Sequence, residues 1–284
     1  MRSIKNIHRA VNAPIDDLIT YRAMPTSSIE HLDPFLFLNH HGPQVYGANN
    51  NGLPFGPHPH RGFETLTFIL DGDLMHWDSG GGKSIIYKGG IQWMTAGRGL
   101  IHAEISSEEF KAKGGRLEII QLWINLPAKL KMTEPSYTGV QKDKIPVVVS
   151  EDGKTEIHVI SGNFENIAGP VKSLTDISAS WIEMKKDGRY QVSVDKKNTI
   201  LLYVVKGEIE VNGGKASMYH LIEFNYDDGA IVIKANEDTT LIFGYGVPFN
   251  EPIVAQGPFV MNHPAEIRQA YIDFQTGKMG TWEE

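Results

Sequence analysis

Short apolar runs separated by turn residues occur along the whole chain, and they limit the folds open to it. Phe63–Leu70 is followed by the turn Asp71-Gly72-Asp73, and Thr199–Val205 is followed by Lys206-Gly207. Short strands bounded by Gly, Asn and Asp are typical of β-sandwiches and β-barrels. The sequence therefore predicts an all-β fold, with candidate strands at Phe63–Leu70, Ser84–Tyr87, Ile91–Thr95, Ala103–Ser106, Leu117–Leu126, Thr155–Ser161, Ser180–Lys185, Tyr190–Val194, Thr199–Val205, Glu208–Val211, His220–Asn225, Ala230–Ala235 and Thr239–Val247.

The segment Leu117–Leu126 is the longest candidate strand and indicates a barrel wall. On one face, Ile120, Leu122, Ile124 and Leu126 are all apolar, whereas the other face carries Gln121, Trp123 and Asn125 among apolar residues. Because side chains alternate between the two faces of a strand, the mixed face is placed to line a pocket.

The chain is predicted to contain two tandem barrels. Residues 127–146 are polar and irregular, which suggests a crossover between domains. Thr65–Asp73 and Ile200–Glu208 share an apolar run that ends in residue-Gly-residue, a hint of duplication. We expect an amino-terminal barrel over residues 1–134 and a carboxy-terminal barrel over residues 135–284.

One late segment has a helical pattern. Ile267, Ala270, Tyr271 and Phe274 follow the spacing i, i+3, i+4, i+7, and Pro264 fits the first turn. A short carboxy-terminal helix is therefore expected after the second series of strands.

Charge and cysteine content exclude several classes of protein. The 27 basic and 34 acidic residues give a net charge of -7, so direct binding to nucleic acid or to an anionic membrane is not expected. The absence of cysteine excludes disulfides, thiolate nucleophiles and iron–sulfur clusters. Neither a signal-peptide core nor an apolar run of membrane-spanning length is found. We expect a cytoplasmic protein, and a monomer, since two barrels that bury a face on each other need no partner subunit.

Two short doublets indicate a metal site. His58-Pro59-His60 and His102-Ala103-Glu104 each place two ligand-type residues at i and i+2. On strands, residues two apart point to the same side, so two neighbouring strands can aim three imidazoles and a carboxylate at one point. Such a set suits a divalent transition metal such as Fe(II), Mn(II), Co(II), Ni(II) or Cu(II), whereas the lack of sulfur ligands argues against Cu(I) and structural zinc.

Glycines around these doublets add a family resemblance. The pattern Gly52-x5-His58-x-His60-x3-Glu64, followed by Gly72, resembles the first motif of the cupin superfamily, and Gly97-x-Gly99-x2-His102 resembles the second. The gap between Glu64 and Gly72 is one residue longer than is usual, and a Gly stands where the second motif normally has Pro. The resemblance implies β-barrels that hold a metal inside.

Longer runs narrow this resemblance to the pirin family, over about residues 33–274. The runs are HPHRGFE at 58–64, QWMTAGRG at 92–99, HAE at 102–104, QLWINL at 121–126 and GPFVMN at 257–262. The resemblance implies two jelly-roll cupin barrels in tandem, with one mononuclear iron in the first barrel. Its ligands here would be His58, His60, His102 and Glu104, and Fe(II) is the expected metal, with Ni, Co, Mn, Cu or Zn as alternatives.

Glu64 is the competing carboxylate, because many cupins use the glutamate of the first motif as a ligand and it shares strand parity with His58 and His60. The resemblance favours Glu104, which leaves Glu64 as an acceptor that orients an imidazole. Other histidines are expected to be packed or solvated, whereas the roles of His40 and His41, beside Asn39, stay open. The histidines given this ordinary role are His8, His31, His76, His158, His220 and His263.

The expected activity also comes from the resemblance, because some pirins have quercetin 2,3-dioxygenase activity. That activity implies a flavonol-like aromatic substrate or similar enol, O2, and Glu104 as the base that takes the 3-hydroxyl proton. The rival hypothesis is an iron-dependent, redox-responsive regulator that acts through protein partners, as animal pirin does. A third is a metal-binding protein with an unknown small substrate.

The carboxy-terminal half is expected to carry no metal site. No His-x-His or His-x-Glu follows residue 104, and Tyr190–Val194 has Val where ligands would stand. We expect this half to support the first barrel.

Overall fold

Antiparallel strands make up most of the molecule, and the computed structural model describes residues 1–282. Two single-turn 3₁₀ helices lie at Ala128–Leu130 and Lys142–Lys144. The first group of elements is β1 (Ile4–Arg9), β2 (Val11–Asn12), β3 (Thr20–Met24), β4 (Phe35–Tyr46), β5 (Phe55–His60), β6 (Phe63–Asp71), β7 (Asp73–Asp78), β8 (Lys83–Tyr87), β9 (Ile91–Thr95), β10 (Leu100–Ile105), α1 (Glu108–Lys113), β11 (Gly115–Asn125), β12 (Ser136–Val140) and β13 (Val147–Val149).

The remaining elements repeat this pattern of short strands and end in a helix. They are β14 (Thr155–Ser161), β15 (Asn163–Phe164), β16 (Ile167–Ala168), β17 (Ser178–Met184), β18 (Arg189–Ser193), β19 (Thr199–Lys206), β20 (Glu208–Val211), β21 (Gly214–Ser217), β22 (His220–Phe224), β23 (Ala230–Ala235), β24 (Thr239–Gly246), β25 (Val254–Gln256), β26 (Phe259–Met261) and α2 (Pro264–Gln275). The predicted all-β class and two tandem cupin barrels are confirmed.

One compact unit, the first barrel, contains both His58-Pro59-His60 and His102-Ala103-Glu104. It comprises Asn12–Tyr21, Leu36–Lys142 and the described chain from Phe249 onward. A seven-stranded sheet in the order β12-β9-β6-β11-β4-β3-β2 faces a four-stranded sheet in the order β5-β10-β7-β8. Apolar side chains from both sheets, among them Ile69, Ile119, Leu74 and Ile86, form its core.

The other unit, the second barrel, has the same plan. It comprises Met1–Val11, Arg22–Phe35 and Asp143–Pro248. Its sheets run β1-β22-β19-β24-β17-β14-β13 and β18-β23-β20-β21, and the core between them is rich in Ile, Val and Leu.

The two compact units are discontinuous along the chain, so their boundary differs from the single boundary predicted at residue 134. β1 pairs antiparallel with β22, with Ile7 opposite Ile222 and Arg9 opposite His220. The carboxy-terminal segment that carries α2 belongs to the first barrel. Strand pairing is a long-range interaction, so it is not visible in the local pattern from which the boundary was predicted.

The carboxy-terminal helix is present, as predicted, at Pro264–Gln275. The backbone N–H of His263 donates to Glu266 Oε2 at 2.8 Å at its amino end. Ile267 and Ala270 are buried in a cluster with Phe259 of β26. The helix thus closes an apolar surface of the first barrel.

The interpretation of residues 127–146 as an irregular crossover is wrong for Ser136–Val140, which form β12. This strand pairs with β9, with Ser136 opposite Thr95 and Val140 opposite Ile91. β12 is an edge strand whose side chains are mostly solvent-facing, so its composition is polar. Among residues 1–282, neither helix is long and apolar enough to cross a membrane.

Candidate metal centre

Strand register brings the two doublets together. In the four-stranded sheet of the first barrel, β10 lies between β5 and β7. On the β5 side His102 is directly opposite His58, and Leu100 is opposite His60. Because His58 and His60 are two residues apart, their rings point to the same side as that of His102. The ligand nitrogens of the three histidines all lie within 4.8 Å of one another.

Two backbone carbonyls determine the tautomers of His58 and His60. Nδ1–H of His58 donates to Gly56 O at 2.7 Å, and Nδ1–H of His60 donates to Pro258 O at 3.1 Å. A carbonyl only accepts, so Nδ1 carries the proton in both rings and each neutral ring presents a lone pair at Nε2. The two Nε2 atoms are 3.2 Å apart. Two lone pairs at that distance repel each other unless a cation lies beside both.

His102 is the third member of the cluster and is fully buried. Its ring centroid lies 4.4 Å from that of His58 and 5.0 Å from that of His60. Within residues 1–282, neither of its ring nitrogens has a hydrogen-bond partner. A buried polar group without a partner is costly, and a coordinated metal would supply the missing interaction.

Burial keeps the imidazoles of His60 and His102 in the neutral form that binds metals. Desolvation, helped by the neighbouring His58, lowers the pKa of His60 to about 3. Desolvation also holds the pKa of His102 well below its usual value. The donor set, its tautomers and its unpaired nitrogens therefore fit a divalent transition metal.

Glu104 lies close to the cluster but outside it. The group of ligand atoms within 4.8 Å of one another consists of the three imidazoles alone. The carboxylate of Glu104 is buried and held by two donors from the facing sheet: Gln121 Nε2 donates to Oε2 at 2.6 Å, and Thr67 Oγ1 donates to Oε1 at 3.2 Å. Gln121 and Thr67 are themselves opposite each other on β11 and β6. The role of Glu104 as the fourth ligand stays a prediction.

Glu64 was expected to accept a hydrogen bond from an imidazole, but its hydrogen bonds come from Trp93 and Thr95. Its Oε1 accepts hydrogen bonds from Thr95 Oγ1 at 2.7 Å and from Trp93 Nε1 at 3.1 Å, both on β9. These bonds do not involve an imidazole. Glu64 does not share a strand with His58 and His60, because β5 ends at His60 and the chain turns at Gly62, with φ of 88°, before Glu64 enters the other sheet. Burial raises the pKa of the Glu64 carboxyl.

Comparison with known proteins decides the family. The Pirin family model matches residues 17–124, and the model for the Pirin C-terminal cupin domain matches residues 180–280. The chain belongs to the pirin family.

Relatives of this pirin match it along most of its length. Pirin-1 of Arabidopsis thaliana is 37% identical over 255 residues, which cover 88% of this chain and 84% of the relative. A pirin-like protein of Caulobacter vibrioides is 34% identical, with 90% and 91% covered. The crystal structure of a quercetin 2,3-dioxygenase from Acinetobacter baumannii superposes with a TM-score of 0.92 at 32% identity and covers 99% of both chains.

His76 was missed as a neighbour of the cluster, and in this pirin it lies opposite Glu104 in the register between β10 and β7. Its ring stacks on Tyr137 at 3.8 Å, its Nε2 is 2.7 Å from Asp78 Oδ2, and its centroid is 5.5 Å from that of His102. The spacing His76-x-Asp78 was the sequence signal that could have found it.

Aromatic side chains form a wall beside the imidazoles of this pirin. Trp123 lies on the mixed face of β11, 5.2 Å from the ring of His60. Phe37 and Phe63 lie against Trp123 at 4.6 and 4.3 Å. Trp123 and Gln121 therefore lie beside His60 and Glu104, and their role in lining a pocket stays a prediction.

Several other histidines have local roles. Within the first barrel, His40 is 2.9 Å from Glu118 and His41 is 2.9 Å from Thr20, so both are buried in polar pairs apart from the cluster. His8 contacts Ser28 and Glu223, and His220 contacts Ser217, as expected for packed histidines. His158 differs, because both its nitrogens lack hydrogen bonds among the described residues.

Proposed function

We propose that this pirin is a metal-dependent dioxygenase of the quercetin 2,3-dioxygenase type, which cleaves a flavonol or a similar enol with O2. One observation carries the proposal: the Nε2 lone pairs of His58 and His60 face each other at 3.2 Å beside the unpaired nitrogens of buried His102. The proposed metal is Fe(II), with His58, His60, His102 and Glu104 as ligands. The likeness of the whole chain to the quercetin 2,3-dioxygenase of Acinetobacter baumannii supports the choice of reaction.

The bound metal would supply Lewis acidity, which lowers the pKa of a substrate hydroxyl, and redox chemistry toward O2. A divalent ion with three neutral imidazoles and one carboxylate leaves a net charge of about +1, which favours an enolate or catecholate. An anionic substrate oxygen is therefore the ligand that this set of side chains would attract.

Glu104 is the proposed base for the 3-hydroxyl proton. Gln121 and Thr67 donate to its two oxygens and hold the carboxylate in one orientation beside the imidazoles. Each of these oxygens has a further lone pair, which can accept the proton of a substrate hydroxyl.

A flat substrate suits the aromatic wall. Trp123, stacked against Phe37 and Phe63, presents an extended apolar surface next to His60. Stacking on such a surface orients an aromatic ring while the polar groups of Gln121 and Glu104 hold the reacting edge.

The test uses metal-free protein, loaded without air with Fe(II), Mn(II), Co(II), Ni(II) or Cu(II), mixed with quercetin and then exposed to air. We expect loss of the flavonol absorption band and release of carbon monoxide with at least one metal. A His102→Ala variant should be inactive, and the matched His220→Ala variant should be active. An unchanged flavonol band with every bound metal would overturn the proposal.

That negative result would favour the regulatory hypothesis, which has its own readout. Protein loaded with Fe(II) or Fe(III) would be used to capture partners, and partners that depend on oxidation state would support redox-responsive regulation.

We further propose a monomer that acts in the cytoplasm without direct contact to nucleic acid or membrane. The net charge of -7 supports the absence of direct contact, because nucleic acids and anionic membranes are negatively charged and attract positively charged proteins. Sedimentation of the metal-loaded protein tests the oligomeric state, and a stable dimer would contradict it.

A further inference from the structure

A second cluster of ligand-type side chains lies on the second barrel, far along the chain from the doublets. Glu156 and His158 are two residues apart on β14, so they share a face. On the neighbouring strand β17, Glu183 is directly opposite Glu156, and Trp181 is opposite His158. The intervening residues, such as Ile157 and Ile182, point to the core instead.

His158 is the member of this cluster that most needs a ligand. It is 3% exposed, and its ring stacks on Trp181 at 4.4 Å with 25° between the planes. Among residues 1–282, neither ring nitrogen has a hydrogen-bond partner. A buried imidazole normally satisfies at least one nitrogen, so this ring lacks an interaction it needs.

The distances in the cluster suit a shared cation better than hydrogen bonds. Nε2 of His158 lies 3.6 Å from Glu183 Oε2 and 4.0 Å from Glu156 Oε2. Both distances exceed the range of a hydrogen bond. Two ligands in a tetrahedral zinc site with bonds of about 2.0–2.1 Å lie about 3.4 Å apart, so a small inward movement would complete the coordination.

Charge favours the same conclusion. Glu156 and Glu183 are like charges directly opposite each other on adjacent strands, an arrangement that destabilises a sheet. A divalent cation bound by two carboxylates and one neutral imidazole gives a net charge of zero. The metal would therefore relieve the repulsion and link β14 to β17.

The cluster is also accessible. The side chains of Glu156 and Glu183 are about half exposed, and both line a cleft of about 280 Å³ on the second barrel. An ion can reach the carboxylates from this cleft, and water can complete its coordination.

We propose that Glu156, His158 and Glu183 form a second metal site, which binds a divalent first-row cation such as Zn²⁺. One imidazole and two carboxylates, without sulfur, match the preference of Zn²⁺ for nitrogen and oxygen ligands. The site contains neither His-x-His nor His-x-Glu, because its order is Glu-x-His and its third ligand comes from another strand. The site does not depend on the reaction proposed for the first barrel.

The test is equilibrium dialysis of the full, untagged chain against buffered Zn²⁺, followed by elemental analysis. Wild-type protein should bind one equivalent more than the double variant Glu156→Gln/Glu183→Gln. The double variant should weaken this second equivalent by more than about 100-fold, since loss of an outer hydrogen-bonding partner alone costs 10–100-fold. Both substituted side chains are half exposed and the amides have the same shape, so the fold is expected to persist, which circular dichroism checks.

A matched control is Glu151→Gln/Glu237→Gln, which removes two exposed carboxylates of the same barrel outside the cluster and should retain the second equivalent. Anomalous diffraction at the zinc edge should place the ion between the three side chains. The proposal is overturned if wild-type protein binds no additional equivalent. It is also overturned if that equivalent survives Glu156→Gln/Glu183→Gln, or if the control loses it as well.

Discussion

At the scale of single residues, hydrogen bonds made by the outer nitrogens of His58 and His60 orient the candidate metal centre. The carbonyls of Gly56 and Pro258 orient His58 and His60, so that both present Nε2 to the same point. Gln121 donates to Glu104 Oε2 and holds that carboxylate in one orientation. Such outer partners fix the tautomer and orientation of a ligand and raise its affinity for the metal.

Gln121→Leu is expected to weaken metal binding in the first barrel by about 10–100-fold, because Glu104 loses the donor to its Oε2. Competition with a coloured chelator measures the affinity. Gln191→Leu, an exposed glutamine of the second barrel, is the matched control. An unchanged affinity in Gln121→Leu would show that Gln121 does not position the carboxylate for the metal.

Ser107 links Asp73 to the first turn of α1. Its Oγ accepts from the N–H of Phe110 at 3.0 Å, which caps α1, and its own hydroxyl donates to Asp73 Oδ2 at 2.5 Å. Ser107→Ala should lower the free energy of unfolding by about 1–2 kcal/mol, since the cap is buried. Chemical unfolding measures the change, with exposed Ser27→Ala as a control. Equal stability of the two variants would refute the capping role.

At the scale of elements, polar anchors fasten α2 to the first barrel. Asp273 of this helix accepts from Arg61 Nη1 at 2.9 Å, from Gln269 Nε2 at 2.9 Å and from Lys278 Nζ at 3.0 Å. The hydrogen bond from Lys278, followed by those from Gln269 and Arg61, lowers the pKa of Asp273 to about 2. The apolar side of α2 and the ion pair between Arg61 and Asp273 therefore both hold the helix on the first barrel.

The sign of the pH effect follows from this lowered pKa. The stability that ionised Asp273 contributes is fully present above its unfolded pKa of about 3.9 and is lost as pH falls toward about 2. Asp273→Asn should therefore be less stable than the wild type at pH 7, by about 2 kcal/mol, because the buried Arg61 loses its charged partner.

Unfolding in denaturant at a series of pH values measures both proteins. The difference between them should shrink as the pH falls below about 4. A difference that stays constant down to pH 2 would contradict the role of the ionised carboxylate. Asp143→Asn, which removes an exposed carboxylate, should show no such difference.

At the scale of the whole molecule, β1 belongs to the second barrel, whereas the described chain from Phe249 onward, which includes α2, belongs to the first. Arg2, 1% exposed, donates through Nε to Asn225 O at 2.7 Å and through Nη2 to Asn198 O at 2.8 Å. These bonds tie the residue before β1 to the segments next to β22 and β19, which lie far away along the chain.

Arg2→Met should loosen the second barrel while it leaves the first unchanged, because the carbonyls of Asn225, Asn198 and Asp195 lose this donor. Hydrogen–deuterium exchange is expected to accelerate in β1 and β22, with β5 and β10 protected as before. Arg9→Met, an exposed change on the same strand, is the control. Unchanged exchange in β22 would show that Arg2 does not anchor β1.

Much of this protein was determined by short stretches of sequence. Strand alternation and turn chemistry are local, so β9, β14, β20 and β23 lie at the predicted bounds. The i, i+2 doublets also needed only local geometry to put His58 beside His60. The run at residues 92–99 carried the family, which the comparison with known proteins then established.

The tertiary structure decided what depends on register and pairing between distant strands. It set His102 opposite His58, sent Glu64 to Trp93 and Thr95, and stacked His76 on Tyr137. It also brought Glu183 to Glu156. These contacts join residues that are separated along the chain, and a pattern read along one strand carries no information about which strand will lie beside it.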